Sequence, residues 1–474
     1  MKVLSTTYSN VQITPYQLVN LQELTIEKQL NHHTRLKFTA IVPEELKDTY
    51  VEMTEADSLI EVSQFTEEGE YLLIFSGTVL EIEVKFVRGV YYLEVEAISH
   101  TYKLDICKKS RSFQDKHMKM AGLLKVIAND YPGIDIIDSA TAGASLNQLT
   151  IQYRETDWEF LKRIASRYHT SLMPASTFST PKFYFGVEEV NAPVNLENYH
   201  YTISKRMSSF RYFSENGTAT IQENHFIDYI VETNHVLELG NQVTFHGKTL
   251  FIYKALTEMS KGILKCIYTL TSHEGLRHRE IFNEQMIGLS LQGKVIALQR
   301  DRVKVHLEID VVQAKDKAHW FPYATGYTAE GHSGWYVMPE IGDTVRVYFP
   351  AHQEQEGFAS SSARQDRTKD GYNKIDSPDT KIFRTPHGKE IRMTPDEIVI
   401  TGKDGAIFIQ LNQGSGIQIV SDKAISFSAG GNIHMSAGKK IKISAGEEVA
   451  LSSQSSNIVL GGDTSVIGSE VKTN

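Results

Sequence analysis

From residue 409 onward, two apolar positions one residue apart return every eight residues: Ile409/Leu411, Ile417/Ile419, Ile425/Phe427, Ile433/Met435, Ile441/Ile443 and Val449/Leu451. Ser-Ala-Gly recurs within this series, beginning at Ser428, Ser436 and Ser444. An i, i+2 pair puts both side chains on one face of a strand, and a period of two excludes a helix. Each unit therefore reads as a strand of about four residues and a small-residue turn. Gly430, Gly438 and Gly446 suit the tight bends. So short a strand cannot bury its own apolar face. Either successive turns of one chain cover it or several chains share it. Single-chain triangular solenoids favour sides of about six residues, so the octad predicts a prism built from three chains. Its core would be the six pairs named above, each side chain stabilising by about 1.5–3 kcal/mol once buried. A looser pair, Ile458/Leu460, follows one residue out of phase. Lys439/Lys440 and Glu447/Glu448 stand one octad apart and read as solvated outer faces.

The rest of the 474 residues has a different texture. Up to about residue 285 it is strand-rich, with alternation in Val79–Val84 and Tyr91–Ala97. Two helices are predicted there. The first spans about 115–131, with Met120, Leu123, Leu124, Ile127 and Tyr131 on one face and Pro132-Gly133 as its stop. The second spans about 157–169, with Trp158, Leu161, Ile164, Ala165 and Tyr168 on one face. Thr156 and Glu159 have capping-box spacing at its start. From 286 to 365, short strands such as Arg302–Leu307 and Thr344–Phe349 alternate with turns, as in a small barrel. A polar stretch follows, and 366–380 reads as a linker to the repeat region, 381–474.

Charge and composition narrow the function. The formal net charge of -9 argues against a nucleic-acid partner, which needs clustered Lys and Arg. The two cysteines, Cys107 and Cys266, read as buried free thiols in a reducing compartment. The first ten residues lack the apolar core of a secretory signal. No stretch reaches the ~18 apolar residues of a membrane span. The expected location is the cytoplasm, with any export driven by other components.

On these residues the chain resembles the VgrG family of type VI secretion spikes and its relatives in phage tails. Gln152–Leu161 is similar to the family's strand-to-helix segment in the hub, and Phe113-Gln114-Asp115 to another hub segment. Arg302-Val303-Lys304-Val305 and Pro339–Asp343 are similar to its small OB-type barrel, and the octads to its triple-stranded β-helix. Two segments depart from the family's usual wording: Ala351–Glu356, where Gly-Asp-Pro is frequent, and Leu307–Asp310, where Phe-Pro-Trp is frequent.

The resemblance implies a mainly β fold: a hub of two barrels plus helices (1–285), an OB-fold collar (286–365), the linker, and an intertwined β-helix needle shared by a homotrimer. It implies a spike that adapts threefold symmetry to a hexameric inner-tube protein. Baseplate proteins would surround the hub, and a tip-capping protein or effector would sit at the needle end. The particle would assemble in the cytoplasm and touch a target membrane transiently when driven outward. Leu460, Gly461 and Gly462 are the candidate tip surface. The alternative is a trimeric tail fibre or receptor-binding protein with a β-prism shaft.

No catalytic or metal site and no cofactor is expected. His273 and His278 are five apart, whereas capture of zinc from one helix face needs four. Gly331-His332-Ser333-Gly334 falls one residue short of a nucleophile elbow. Asp157 and Glu159 are explained by the positive end of a helix. His32 and His33 show no partnered ligands, and His434, between Ile433 and Met435, points away from a shared core. About twenty residues between barrel and repeats leave no room for an inserted lysozyme domain, and the chain ends soon after its last repeat.

Overall fold

The computed structural model describes residues 7, 10–65, 71–188, 190–196, 200–216, 220–260, 262–329, 333–362, 377–403, 405–460, 463 and 469–470. Two compact units emerge, 1–365 and 366–474.

In the first unit, alternating sequence becomes strand with one side turned inward. Along Val90–Ser99, Leu93, Val95 and Ala97 are buried while Glu94 and Glu96 face Lys85 and Lys37. The two barrels expected in the hub take the form of one twelve-stranded sheet with two apolar cores. Its halves join where Thr25–Gln29 pairs antiparallel with Lys254–Glu258. Leu24, Phe38, Ile60 and Phe75 belong to the first core; Val231, Phe245, Ile252 and Tyr268 belong to the second.

Four α-helices lie among the described residues: α1 (Lys47–Met53), α2 (Met120–Ala128), α3 (Asp157–Ser166) and α4 (Met207–Glu215). The two predicted from periodicity are α2 and α3, both shorter than expected. Helix α2 buries Met120, Leu123, Leu124 and Ile127. Helix α3 begins with the anticipated capping box: the Thr156 hydroxyl accepts from the Glu159 amide at 3.1 Å, and the Glu159 carboxylate accepts from the Thr156 amide at 2.9 Å. Trp158 is buried and its indole donates to the Asn31 carbonyl at 3.1 Å, pinning α3 to the strand turn at Asn31. Helices α1 and α4 were not anticipated; α1 buries only Tyr50, whereas α4 does carry a short stripe, Met207, Phe210 and Phe213, that the reading of the sequence missed.

Residues 289–362 form a closed five-stranded barrel from Leu289–Gln299, Arg302–Leu307, Trp320–Ala324, Thr344–Phe349 and Phe358–Ser362. Leu289–Gln299 pairs on both edges, and Gly293 lets the neighbour approach: a β-carbon there would stand 2.5 Å from the His306 carbonyl. The interior holds Val303, Val305, Phe321, Val345, Val347 and Phe349. Leu149 and Ile151, from the hub strand leading into α3, belong to the same core. The expected boundary near residue 285 therefore falls inside one compact unit.

Charged clamps reinforce this joint. Arg163 on α3 is buried between Glu155 (2.8 and 2.7 Å) and Glu354 of the barrel (2.8 Å). Arg167 adds two contacts to the Glu354 carboxylate, at 2.8 and 3.0 Å. On the other side Asp310 accepts from the Ser112 amide (2.6 Å) and its hydroxyl. Gln114 donates to the Val305 carbonyl at 3.2 Å and accepts from the His319 amide at 3.0 Å. Burial raises the Asp310 carboxyl above its ordinary range, and the Ser112 hydrogen bonds only partly oppose this.

In the second unit, Lys381–Arg384, Glu390–Met393, Glu397–Lys403, Ile407–Asn412 and Gly416–Ser421 form an antiparallel meander. Among the described residues, 422–448 contains no strand, and Val449–Ser453 pairs with Ser456–Leu460 as a hairpin.

Candidate functional site

The registers of the meander align its apolar residues into two rows on one face. Phe383, Ile391, Ile400, Ile409 and Ile419 are successive cross-strand neighbours, and so are Met393, Ile398, Leu411 and Ile417. All nine are exposed. The opposite face is covered within the chain, with Val399 buried and with ion pairs Arg384–Glu390 (2.8 Å) and Arg392–Glu397 (2.9 Å). A sheet with one closed polar face and one bare apolar face has the character of an interface.

Of the predicted core residues, Ile409, Leu411, Ile417 and Ile419 come together across this face. Ile425, Phe427, Ile433, Met435, Ile441 and Ile443 stand exposed along the strandless segment, Phe427 to 74% and Met435 to 73%. Val449 and Leu451 face Leu460 and Ile458 across the terminal hairpin. The hairpin explains the phase slip in the sequence: its turn, with Gln454 at φ 46°, resets which residues lie opposite one another. Leu460 closes that hairpin, while Gly461 and Gly462 lie outside the described residues.

The octad search missed Phe383, Ile391, Met393, Ile398 and Ile400, which extend the same rows toward the start of the unit. Ile391/Met393 and Ile398/Ile400 carry the i, i+2 signal, but they are seven residues apart and fall outside an eight-residue period.

The histidines and carboxylates singled out in the sequence have local partners. His33 contacts Thr101 (2.8 Å) and Asp105 (3.2 Å) and packs on Trp158. His273 lies edge-on to Phe251, and His278 Nδ1 is 2.7 Å from the Arg279 carbonyl. His434 is exposed, and Ser333 begins a two-residue strand, with Gly331 and His332 outside the described residues. Asp157 is more than a helix-end charge. It is fully buried and holds Lys109 (2.6 Å), Arg111 (2.5 Å), Tyr131 (2.7 Å) and Gln152 (2.9 Å). Burial, then the Asp157 contact, pushes the Tyr131 hydroxyl up to about 12. Among the described residues no group of three His, Cys, Asp or Glu is placed to hold a metal, and no helix is long and apolar enough to cross a membrane. Both cysteines are free thiols, but only Cys266 is buried as expected; Cys107 is exposed, just ahead of the strand Lys108–Phe113.

Comparison with known proteins agrees with this architecture. Residues 291–362 match the family described as the type VI secretion system/phage-baseplate injector OB domain. No curated protein matches the sequence. Among solved structures, the Escherichia coli c3393 protein, a type VI secretion component similar to phage T4 tail proteins gp27 and gp5, aligns with a TM-score of 0.53. Identity is 12%, over 75% of this chain and 99% of that one. The lidless PdpA-VgrG complex aligns at 0.55 with 8% identity, over 88% and 98%. The half-lidded Francisella PdpA-VgrG complex aligns at 0.55 with 7% identity, over 88% and 87%. This chain thus has a VgrG-like, mainly β fold and carries within it an injector OB domain of the type VI secretion and phage-baseplate class.

Proposed function

We propose that the chain is one subunit of a trimeric central spike and hub in a contractile injection machine. The observation that carries this reading is the bare apolar face of the meander, Phe383 to Ile419, followed by exposed apolar residues through Ile443. Three copies laying these faces together would bury them, with Lys439, Lys440, Glu447 and Glu448 remaining outside. The resulting needle would be stiff without any bond chemistry, and the role needs no catalytic residue.

In this reading the hub meets a hexameric inner-tube protein, and two similar halves per subunit give a trimer six matching edges. Baseplate proteins surround it, and the needle end near Leu460, Gly461 and Gly462 takes a tip-capping protein or effector. The particle assembles in the cytoplasm and meets a target membrane only during ejection. A tail fibre would share the prism but place a binding head beyond it.

Light scattering on the full chain and on residues 1–362 tests the assembly. A mass of three chains, falling or weakening in the truncation, supports the needle. A monomeric full chain at micromolar concentration overturns it.

A further inference from the structure

The second unit is divided by how its backbone is satisfied. Within 381–421 the strands pair inside the chain. Glu397–Lys403 pairs with Glu390–Met393 on one side and with Ile407–Asn412 on the other, and Ile407–Asn412 pairs again with Gly416–Ser421. Lys403 and Asp422 join across the far end at 2.9 Å. This sheet completes its hydrogen bonds without a partner. Its apolar rows are already in register, and neighbouring strands half cover them: Ile409 and Leu411 are 39% and 40% exposed.

The segment 422–448 carries the same apolar pairs without this support. Among the described residues it contains no strand, and no backbone hydrogen bond joins 424–448 to another residue. Gly430, Gly431, Gly438 and Gly446 all face open space. Laying the segment into strands would fix the backbone of every residue, and one short rung by itself buries too little to offset that loss. Its cover must match it rung for rung, because the apolar pairs recur every eight residues. A second and a third copy of this chain supply that period. The nine side chains of the meander face carry no charge by which a different partner would be selected.

On the trimeric reading above, we infer that assembly is ordered: copies dock first through the preformed meander, 381–421, and the octads of 425–443 become strand only afterwards. Docking a sheet that is already ordered loses little conformational freedom. Once three meanders lie together, the next octad of each chain is tethered beside its cover at high effective concentration. Each rung that closes presents the one after it. The meander starts the particle, and the octads hold it.

The experiment is refolding of the full-length chain by dilution from urea at several protein concentrations. Pulsed amide hydrogen exchange, read by mass spectrometry, follows protection, and light scattering follows mass. Amides of 397–412 are expected to gain protection at a rate independent of protein concentration. Those of 425–443 should gain it only in a concentration-dependent phase that ends as the mass reaches three chains. Octads protected before the meander, or at a rate independent of concentration, overturn the inference. The two levels separate cleanly. A mass that stays at one chain removes the trimeric reading and this order with it; a three-chain mass with octads protected first removes the order alone.

Two conservative pairs of substitutions, mild enough to keep the fold, assign the steps to residues. Ile400→Val with Ile409→Val, cross-strand neighbours in the meander, is expected to slow assembly about tenfold and to change dissociation by less than about twofold. Ile433→Val with Ile441→Val is expected to leave the assembly rate unchanged and to speed dissociation about tenfold. The opposite pattern, or equal slowing of assembly by both pairs, overturns the inference.

Discussion

On one strand of the collar barrel, Val303, Val305 and Leu307 are fully buried; on one strand of the tail, Ile417 and Ile419 are exposed to 72% and 48%. Both segments are short and β-branched, and both are antiparallel on a neighbour. What differs is closure. The barrel brings its first and fourth strands together and so supplies its own cover, whereas the tail's meander is open and its apolar rows end in solvent. Alternation specifies that a face exists. It does not specify what covers that face.

The largest effect should come from charging the tail. Ile441→Asp with Ile443→Asp should reduce the particle from three chains to one by light scattering. The melting of residues 1–362, followed by near-ultraviolet circular dichroism, should not move. If that melting falls as well, the two units are not independent and the contrast fails.

Next is Glu354→Ala, which leaves the buried Arg163 with Glu155 alone and removes the carboxylate that Arg167 contacts. Removing one partner of a buried pair costs about 3–5 kcal/mol. Urea denaturation should show a loss of that size with the oligomeric mass unchanged. A loss below about 1 kcal/mol would place the clamp among surface pairs of little worth.

Thr156→Ala removes the capping hydroxyl of α3 and should cost about 1 kcal/mol, read from the same denaturation curves. The smallest expected effect concerns pH. Because Asp310 has a raised folded pKa, its stabilising contribution is present below the ordinary aspartate range and lost as pH rises through the folded value. Asp310→Asn should flatten that part of the stability profile between acid and neutral pH. An unchanged slope would assign the pH dependence to other groups.

The period of eight made the strands Ile407–Asn412, Gly416–Ser421 and Val449–Ser453 legible in sequence but not the strandless stretch 422–448, where a strand was expected in each repeat, and the capping box and apolar stripe made α3 legible. The five earlier apolar residues from Phe383 to Ile400 escaped because strand spacing there is set by loops of unequal length. Asp157 was legible only as a helix-end charge, since Lys109 and Arg111 lie 48 and 46 positions away and reach it through a strand pair. The hub–collar clamps were hidden by the same distance: Arg163 and Glu354 are separated by 191 positions. Yet Glu354 and Asp310 fall inside the two segments that depart from the family's usual wording. Departures in a motif marked where this chain makes its own internal contacts.

The placement of Leu149 and Ile151 inside the barrel core has a mechanical consequence. A hinge needs a line along which few contacts cross. Here any rotation of collar against hub must draw two aliphatic side chains out of an apolar interior and part Arg163 from Glu354. In the proposed spike, thrust applied to the hub would reach the collar through this joint with no hinge line to absorb it, as through a weld rather than a coupling.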